Sequence, residues 1–307
     1  MTKVLLATEK PFSPAAVKQI QSVVEEAGFE FALLEKYTST DQFYQAVTDV
    51  EALIVRSDLV TPEVLEAAKK LKIVVRAGAG FDNIDLAAAT GKGVVVMNTP
   101  GQNANAVAEL ALGMMVYLAR SCFNGKSGSE LREKTLGLHA FGNVGRRVAE
   151  IAKGFGMHVY AYDPFLTKED IEKEGVTALD SVEELYDTCQ YISLHIPANA
   201  QTRNSINYAL LSRMPEGATL VNTARKEVVN EADLLKIFAD RPDFKYLSDV
   251  TPDCAAEIGE KFAGRYFFTP KKMGAQTEEA NVNAGIAAAN QIRDFVQKGD
   301  TRFQVNK

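Results

Sequence analysis

Ala140-Phe141-Gly142-Asn143-Val144-Gly145 decides how this chain is read. An apolar run, Thr135-Leu136-Gly137-Leu138, precedes it, and a helix-like stretch, Arg146-Arg147-Val148-Ala149-Glu150-Ile151-Ala152, follows. A second apolar run, Met157-His158-Val159-Tyr160-Ala161-Tyr162, ends in Asp163. Strand, glycine turn, helix, strand and acid, in that order, form the pattern of a dinucleotide-binding unit. Gly142 lets backbone approach a pyrophosphate, and Gly145 lets helix and strand pack closely. The helix start supplies N–H donors and a partial positive charge. Asp163 accepts from ribose hydroxyls and repels a 2′-phosphate, which favours NAD over NADP. The first glycine of the pattern is replaced by Ala140, so the turn is expected to avoid positive φ there. An ordinary strand–helix turn is the competing reading.

The chain of 307 residues is long enough for a large core and two domains. With 46% hydrophobic and 24% charged residues it has the balance of an ordinary globular protein. The net charge is −6, and no Lys/Arg cluster forms a phosphate-backbone track, which argues against nucleic acid as a partner. No apolar run approaches the roughly 18 residues that a membrane span needs. The opening residues Met1 to Ala7 read as a first strand, since Glu9 interrupts any signal sequence. Cys122, Cys189 and Cys254 are odd in number and lack C-x-x-C spacing, so neither a disulfide framework nor a zinc site is expected. A reducing cytoplasm fits that usage.

The first hundred residues alternate strand-like segments (Lys3–Ala7, Phe29–Leu33, Ala52–Val55, Ile73–Arg76, Val94–Met97) with helical ones (Pro14–Ala27, Asp41–Val47, Pro62–Lys69, Ile84–Thr90). Thr61 and Pro62 read as an N-cap and a first helical residue. A helix from Asn103 to Arg120 is apolar almost all round and is expected to be buried, between domains or at a subunit interface. Ser121–Ser129 reads as an exposed loop. Later strands are expected at Tyr191–Ile196, Ala218–Asn222, Tyr246–Asp249 and Tyr266–Thr269. A last helix, Thr277 to Gln297, is long enough to return to the first domain. The predicted fold is α/β: a Rossmann-type doubly wound dinucleotide domain (99–283) inserted into a smaller flavodoxin-like α/β substrate domain (1–98 plus 284–307).

Several further stretches carry a resemblance that spans essentially the whole chain. They are Val55-Arg56-Ser57, Arg76 through Asp85, Asn98-Thr99-Pro100-Gly101, Ala108-Glu109-Leu110, Tyr162-Asp163-Pro164, Ser193-Leu194-His195-Ile196-Pro197, Asn222-Thr223-Ala224-Arg225, Asp249-Val250 and Thr269-Pro270. With the glycine turn, they resemble the D-2-hydroxyacid dehydrogenases, and within them the members acting on 3-phosphoglycerate. The resemblance implies NAD-dependent oxidation of D-3-phosphoglycerate to 3-phosphohydroxypyruvate, the entry to L-serine synthesis. It also implies a cleft between substrate and nucleotide domains and a homodimer built through the nucleotide domains. The sequence is expected to lack the C-terminal regulatory domain of longer relatives, and with it serine feedback.

Site residues carry over position by position. Arg225 matches the arginine that grips the substrate carboxylate and polarises the C2 oxygen, a task suited to a bidentate fork. A surface ion pair is the alternative. The acid/base position, histidine in most relatives, aligns with Lys272 in Thr269-Pro270-Lys271-Lys272-Met273-Gly274-Ala275. Burial and a neighbouring Arg225 would both favour its neutral form; a solvated lysine or a phosphate-binding cation is the alternative. The usual partner glutamate aligns with Cys254, leaving Asp253 and Glu257 as nearby substitutes. His195 is a rival base that titrates nearer neutrality, with strand-end packing as its other reading; His139 and His158 read as structural. Asp249 resembles the aspartate near the nicotinamide carboxamide, or caps a turn. Ala79, Gly142, Asn143, Val144, Gly145, Asp163, Ile196, Thr223 and Ala224 match cofactor contacts. Gly80, with Ala79, matches a loop presenting N–H groups to the substrate carboxylate. Arg56 and Ser57 suit a phosphate, with Arg76 as support or as a structural residue; an ion pair of Arg56 with Asp58 or across a domain interface is the alternative.

Two other functions fit the same residues. One is a different D-2-hydroxyacid reductase, acting on glyoxylate, hydroxypyruvate or a branched 2-keto acid. The other is a non-catalytic corepressor that senses NADH, since the usual histidine and glutamate are replaced.

Overall fold

The structure, a computed structural model, describes residues 1–307. Contacts divide the chain into two compact units, Met1–Asn103 with Gln276–Lys307, and Ala104–Ala275. The second change of unit precedes residue 284 because the last helix belongs whole to the first unit.

In the first unit, β1 (Lys3–Thr8), β2 (Glu30–Glu35), β3 (Ala52–Val55), β4 (Ile73–Arg76) and β5 (Val95–Asn98) form one parallel sheet in the order β2-β1-β3-β4-β5. This is the flavodoxin-like order. The sheet is covered on both faces, so its strands are apolar along their length. Alternate residues part to the two sides. Leu5, Ala7, Leu53 and Val55 pack with α2 (Thr40–Val47), α3 (Pro62–Ala67) and α4 (Leu86–Gly91). Val4, Leu6, Ile54 and Ile73 pack with α1 (Pro14–Glu26) and α12 (Glu278–Lys298). Local chemistry sets the helix starts: Ser13 and Thr61 accept from Ala16 and Val64 N–H, each followed by a proline at the first helical position. Helix α4 begins after Asp85, whose carboxylate accepts from Ala88 N–H at 2.8 Å. After α12, Val305 N–H donates to Val96 O at 2.9 Å, and Asn306 exchanges hydrogen bonds with Val96 N–H and Val94 O.

The second unit holds β6 (Thr135–His139), β7 (His158–Tyr162), β8 (Thr177–Ala178), β9 (Tyr191–Leu194), β10 (Thr219–Asn222), β11 (Lys245–Ser248) and β12 (Tyr266–Phe268). They form a seven-stranded parallel sheet, β12-β11-β10-β9-β6-β7-β8. The chain reverses its direction of winding between β6 and β9, the place where doubly wound sheets open a crevice. Helix α5 (Ala104–Ala119) packs against α6 (Asn143–Gly154) on one face of this sheet. Its nearly all-round apolar character is thus used inside its own unit. Helices α8 (Val182–Thr188), α9 (Tyr208–Leu211), α10 (Glu231–Asp240) and α11 (Ala255–Lys261) cover the other face; α7 (Lys168–Glu172) precedes β8. The segment after α5 is more than an open loop. Ser121, Cys122 and Phe123 take φ of 53°, 54° and 54°, a left-handed turn, and Ser129 N–H returns to Ala119 O at 2.8 Å. No helix is long and apolar enough to cross a membrane.

Candidate active site

The glycine turn sits at the switch point, between β6 and α6. Ala140 has φ +80°, so the expectation that the turn avoids positive φ there is wrong. The chain must reverse between strand and helix at this residue, whichever side chain it carries. Its N–H donates to Tyr162 O at 2.9 Å and the next N–H, of Phe141, to Asp163 Oδ2 at 2.8 Å. Those bonds hold alanine in a conformation that costs a non-glycine residue on the order of 1–3 kcal/mol. Gly145 packs against the turn: a Cβ there would lie 2.6 Å from Ala140 O. Gly142 differs, since a Cβ there meets nothing within 4 Å and the position faces open space.

That space is a cavity of about 1040 Å³ whose lining includes Gly142, Asp163, Ile196, His139 and His195. Asp163 ties β7 to the turn through Oδ2 and accepts from Phe165 N–H through Oδ1 at 2.9 Å. Each carboxylate oxygen keeps a lone pair for a further donor. The structure therefore joins three expected cofactor residues, Gly142, Asp163 and Ile196, in one cavity. Asn143, exposed, and Val144 open α6 beside it. His139 lines the same cavity rather than serving packing alone; its Nδ1 lies 3.3 Å from Tyr186 Oη. His158 is exposed and pairs with Glu133. Burial pushes His139 down to about 4, and burial with the neighbouring His139 pushes His195 to about 3. So weak a base does not suit His195 to general-base work near neutrality. Its Nε2 and the buried Thr223 Oγ1 have no hydrogen-bond partner. Orphaned polar atoms are rare in folded proteins. Together with the open face at Gly142, they fit a polar ligand of dinucleotide type.

A second cluster forms where β10 and β11 end. Asn222, fully buried, accepts from Ala224 N–H at 2.9 Å and donates to Arg225 O at 3.0 Å, fixing the loop that carries Arg225. Sequence reasoning treated Asn222 only as part of a motif. Arg225 Nη1 donates to Ala224 O at 3.0 Å, and Lys272 Nζ donates to the same oxygen at 3.3 Å. Lys272 is exposed where burial was expected; the expected closeness to Arg225 is present. Asp249, 1% exposed, clamps the segment around Lys272. Its Oδ1 accepts from Thr269 Oγ1 at 3.0 Å and Met273 N–H at 2.9 Å, and its Oδ2 from Gly274 N–H at 2.8 Å. A Cβ on Gly274 would come to 2.9 Å from Oδ2, so the approach depends on glycine.

Each suggested substitute for the missing glutamate pairs with a lysine close to it. Asp253 pairs with Lys226 at 2.6 Å and Glu257 with Lys261 at 2.7 Å. The acid beside Cys254 is Glu231, which accepts from the N–H groups of Asp253 and Cys254 at 2.9 and 2.8 Å. Burial first, and then the Glu231 charge, push the Cys254 thiol up to about 12. Glu231 begins α10, and nothing in its sequence neighbourhood marks it.

In the first unit, Arg56 follows β3 and makes no ion pair with Asp58. The Asp58 carboxylate instead accepts from backbone N–H groups of Arg56 and Glu9, at 3.3 and 2.7 Å, and from Tyr37 Oη at 2.8 Å. Ser57 is exposed. Arg76 Nε donates to Arg56 O at 2.9 Å, and its guanidinium occupies the place a Cβ on Gly78 would take, so it braces the loop. Ala79 O accepts from Asn98 Nδ2 at 2.6 Å, and Gly80 follows it in the same loop.

A sequence model of the D-isomer specific 2-hydroxyacid dehydrogenase NAD binding domain matches residues 115–265. The chain is 37% identical over 285 residues to a hydroxypyruvate reductase of Thermotoga maritima, covering 86% of this chain and 90% of that protein. It is 33% identical over 311 residues to a D-3-phosphoglycerate dehydrogenase of Methanocaldococcus jannaschii, covering 97% of this chain but 58% of that one. The chain thus spans little more than half the length of that relative. The crystal structure of NAD+-bound 3-phosphoglycerate dehydrogenase from Entamoeba histolytica matches with a TM-score of 0.86 and 46% identity, over 100% of this chain and 99% of that one. Likeness of this extent, on a fold with an acid-anchored glycine turn at its switch point, makes the chain a member of the D-isomer specific 2-hydroxyacid dehydrogenases, NAD-dependent oxidoreductases.

Proposed function

We propose that the protein interconverts D-3-phosphoglycerate and 3-phosphohydroxypyruvate. The observation that carries this reading is the convergence of Arg225 and Lys272 on one carbonyl oxygen, that of Ala224. Two cations held this close create a place for the carboxylate and C2 oxygen of a small acid. The coenzyme, held by the residues named next, would supply the acceptor for a hydride from C2 and, in reduced form, its donor in the reverse direction. Gly142, Asn143, Val144 and Gly145 are assigned to the pyrophosphate, Asp163 to the ribose, and Ile196, Thr223, Ala224, Asp249 and Ala79 to the rest of the coenzyme. Arg225 grips the carboxylate and polarises the C2 oxygen. Lys272 in its amine form takes the hydroxyl proton onto Nζ, and the charge of Arg225 favours that form. In the reverse direction its ammonium gives the proton back. Gly80 is assigned to the substrate carboxylate, Arg56 and Ser57 to the phosphate, with Arg76 holding Arg56 in place. The first unit, Met1–Asn103 with Gln276–Lys307, is assigned to substrate and the second, Ala104–Ala275, to coenzyme. The reading carries a homodimer and a cytoplasmic location, the latter consistent with three free thiols.

A second reading, reduction of unphosphorylated hydroxypyruvate, draws on the Thermotoga relative, which this chain matches over 90% of its length. NADH oxidation against a panel of 2-keto acids that includes both compounds separates the two. The acid/base assignment is tested by Lys272→Met. Turnover should fall by about a hundred- to ten-thousandfold, the range of losing a general acid–base group, while NADH binding persists. Near-wild-type turnover would remove Lys272 from the mechanism.

A further inference from the structure

Arg56 is half-buried, yet no carboxylate lies within ion-pair distance of its guanidinium. Its Nη2 donates to the side-chain oxygen of Asn281 at 2.6 Å, and its Cζ stands 5.2 Å from the centre of the Phe12 ring. Burial lowers its pKa, against the charge of Asp58. Arginine remains a cation under any ordinary condition. Arg56, Phe12 and Asn281 line a cavity of about 300 Å³, with Pro11, Ser13 and Glu278. All six belong to the first unit. Glu278 is exposed, so solvent and salt screen its charge.

A partly desolvated cation with only a neutral partner retains its attraction for an anion. The neutrality of that partner has consequences. Asn281 stands in the first turns of α12, where a carboxylate would favour both the helix start and the guanidinium. An aspartate would close the fork in an ion pair. The amide sets the direction of one N–H and adds no counter-charge at the fork beyond the more distant Asp58.

We infer that Asn281 determines specificity for the charged end of the substrate: it orients Arg56 through a neutral acceptor, so that a phosphate monoester entering this cavity meets a guanidinium engaged in no ion pair. The inference rests on the proposed function, since it deepens the assignment of Arg56 to the phosphate.

The test is steady-state kinetics of the full chain with 3-phosphohydroxypyruvate and with hydroxypyruvate, for wild type, Asn281→Asp, Asn281→Ala and Arg56→Gln. The readout is the ratio of kcat/KM for the phosphorylated over the unphosphorylated substrate. It should fall by about tenfold or more in Asn281→Asp, since a half-buried counter-charge at the fork competes directly with the phosphate. It should fall less in Asn281→Ala, and at least as far in Arg56→Gln. NADH titration of each variant checks its folding. An unchanged ratio in Asn281→Asp beside a collapsed one in Arg56→Gln overturns the role of Asn281 and leaves the substrate assignment standing. Equal losses on both substrates in Asn281→Asp also overturn it. A wild-type ratio near one, unmoved by Arg56→Gln, overturns the substrate assignment and this inference with it.

Discussion

Replacing Gly145 with alanine tests how the coenzyme turn is built. The new Cβ would stand 2.6 Å from Ala140 O, where ordinary contact begins at 3.4 Å, so α6 must retreat by about 0.8 Å. Overpacking of this kind costs ~1–3 kcal/mol. Alanine's helix preference over glycine returns ~1 kcal/mol. The net loss is therefore up to about 2 kcal/mol, or up to roughly 8 °C in melting temperature for a domain of this size. The same retreat carries an N–H at the start of α6 from a typical ~2.9 Å hydrogen bond to a pyrophosphate oxygen to about 3.7 Å, beyond bonding range. One hydrogen bond to a charged group is worth ~1.5–3 kcal/mol, so the coenzyme Kd should rise about 10- to 100-fold. NADH fluorescence titration reads this directly, because the chain has no tryptophan to interfere. Thermal unfolding supplies the stability half. A Kd within twofold of wild type, with an unchanged melting temperature, would refute the reasoning: α6 would then have room that the close approach to Ala140 denies it.

Asp249→Asn should lower kcat by about tenfold or more, since an amide cannot accept on both sides and leaves a buried donor unpaired at Met273 or Gly274, a loss of ~1–3 kcal/mol in holding Lys272. If coenzyme Kd rises while kcat holds, Asp249 serves the coenzyme and not the loop. Stability should also respond to acid through His139 and His195, held down to about 4 and about 3 from an ordinary 6.5. The unfolded chain takes up these protons below about pH 6.5 and the native protein only near those lower values. The stability contribution is therefore full above pH 6.5 and is lost as pH falls, by up to about 1.4 kcal/mol per pH unit for each imidazole. Urea unfolding of wild type and His195→Asn at pH 7 and pH 5 checks this; equal pH sensitivity in both would count against it.

Much of the architecture was legible because its causes are local. Strands β3 and β4 have the bounds their β-branched runs suggest, and Thr61-Pro62 starts α3 as its chemistry requires. Gly145 and Asp163 could be read from spacing because each acts on a neighbour in the same turn. What escaped depends on partners far along the chain. Arg56 meets Asn281, 225 residues away, and no periodicity marks that meeting. Glu231 stands beside Cys254 only because α10 and the end of β11 come together. The exposure of Lys272 reflects the depth of a loop, which composition does not encode. At Ala140 the error has a different source: residue preference argued against positive φ, and the hydrogen bonds around the turn outweighed it.

The final residues of the chain have a consequence beyond their hydrogen bonds. Strand β5 is the rim of its sheet, and an uncovered rim is a template on which another molecule's backbone can assemble. Val305 and Asn306 occupy that template, engaging Val96 and Val94. Trimming the last four residues should therefore show first as clumping on concentration, with soluble molecules still turning over substrate, and a purification tag belongs at the opposite terminus.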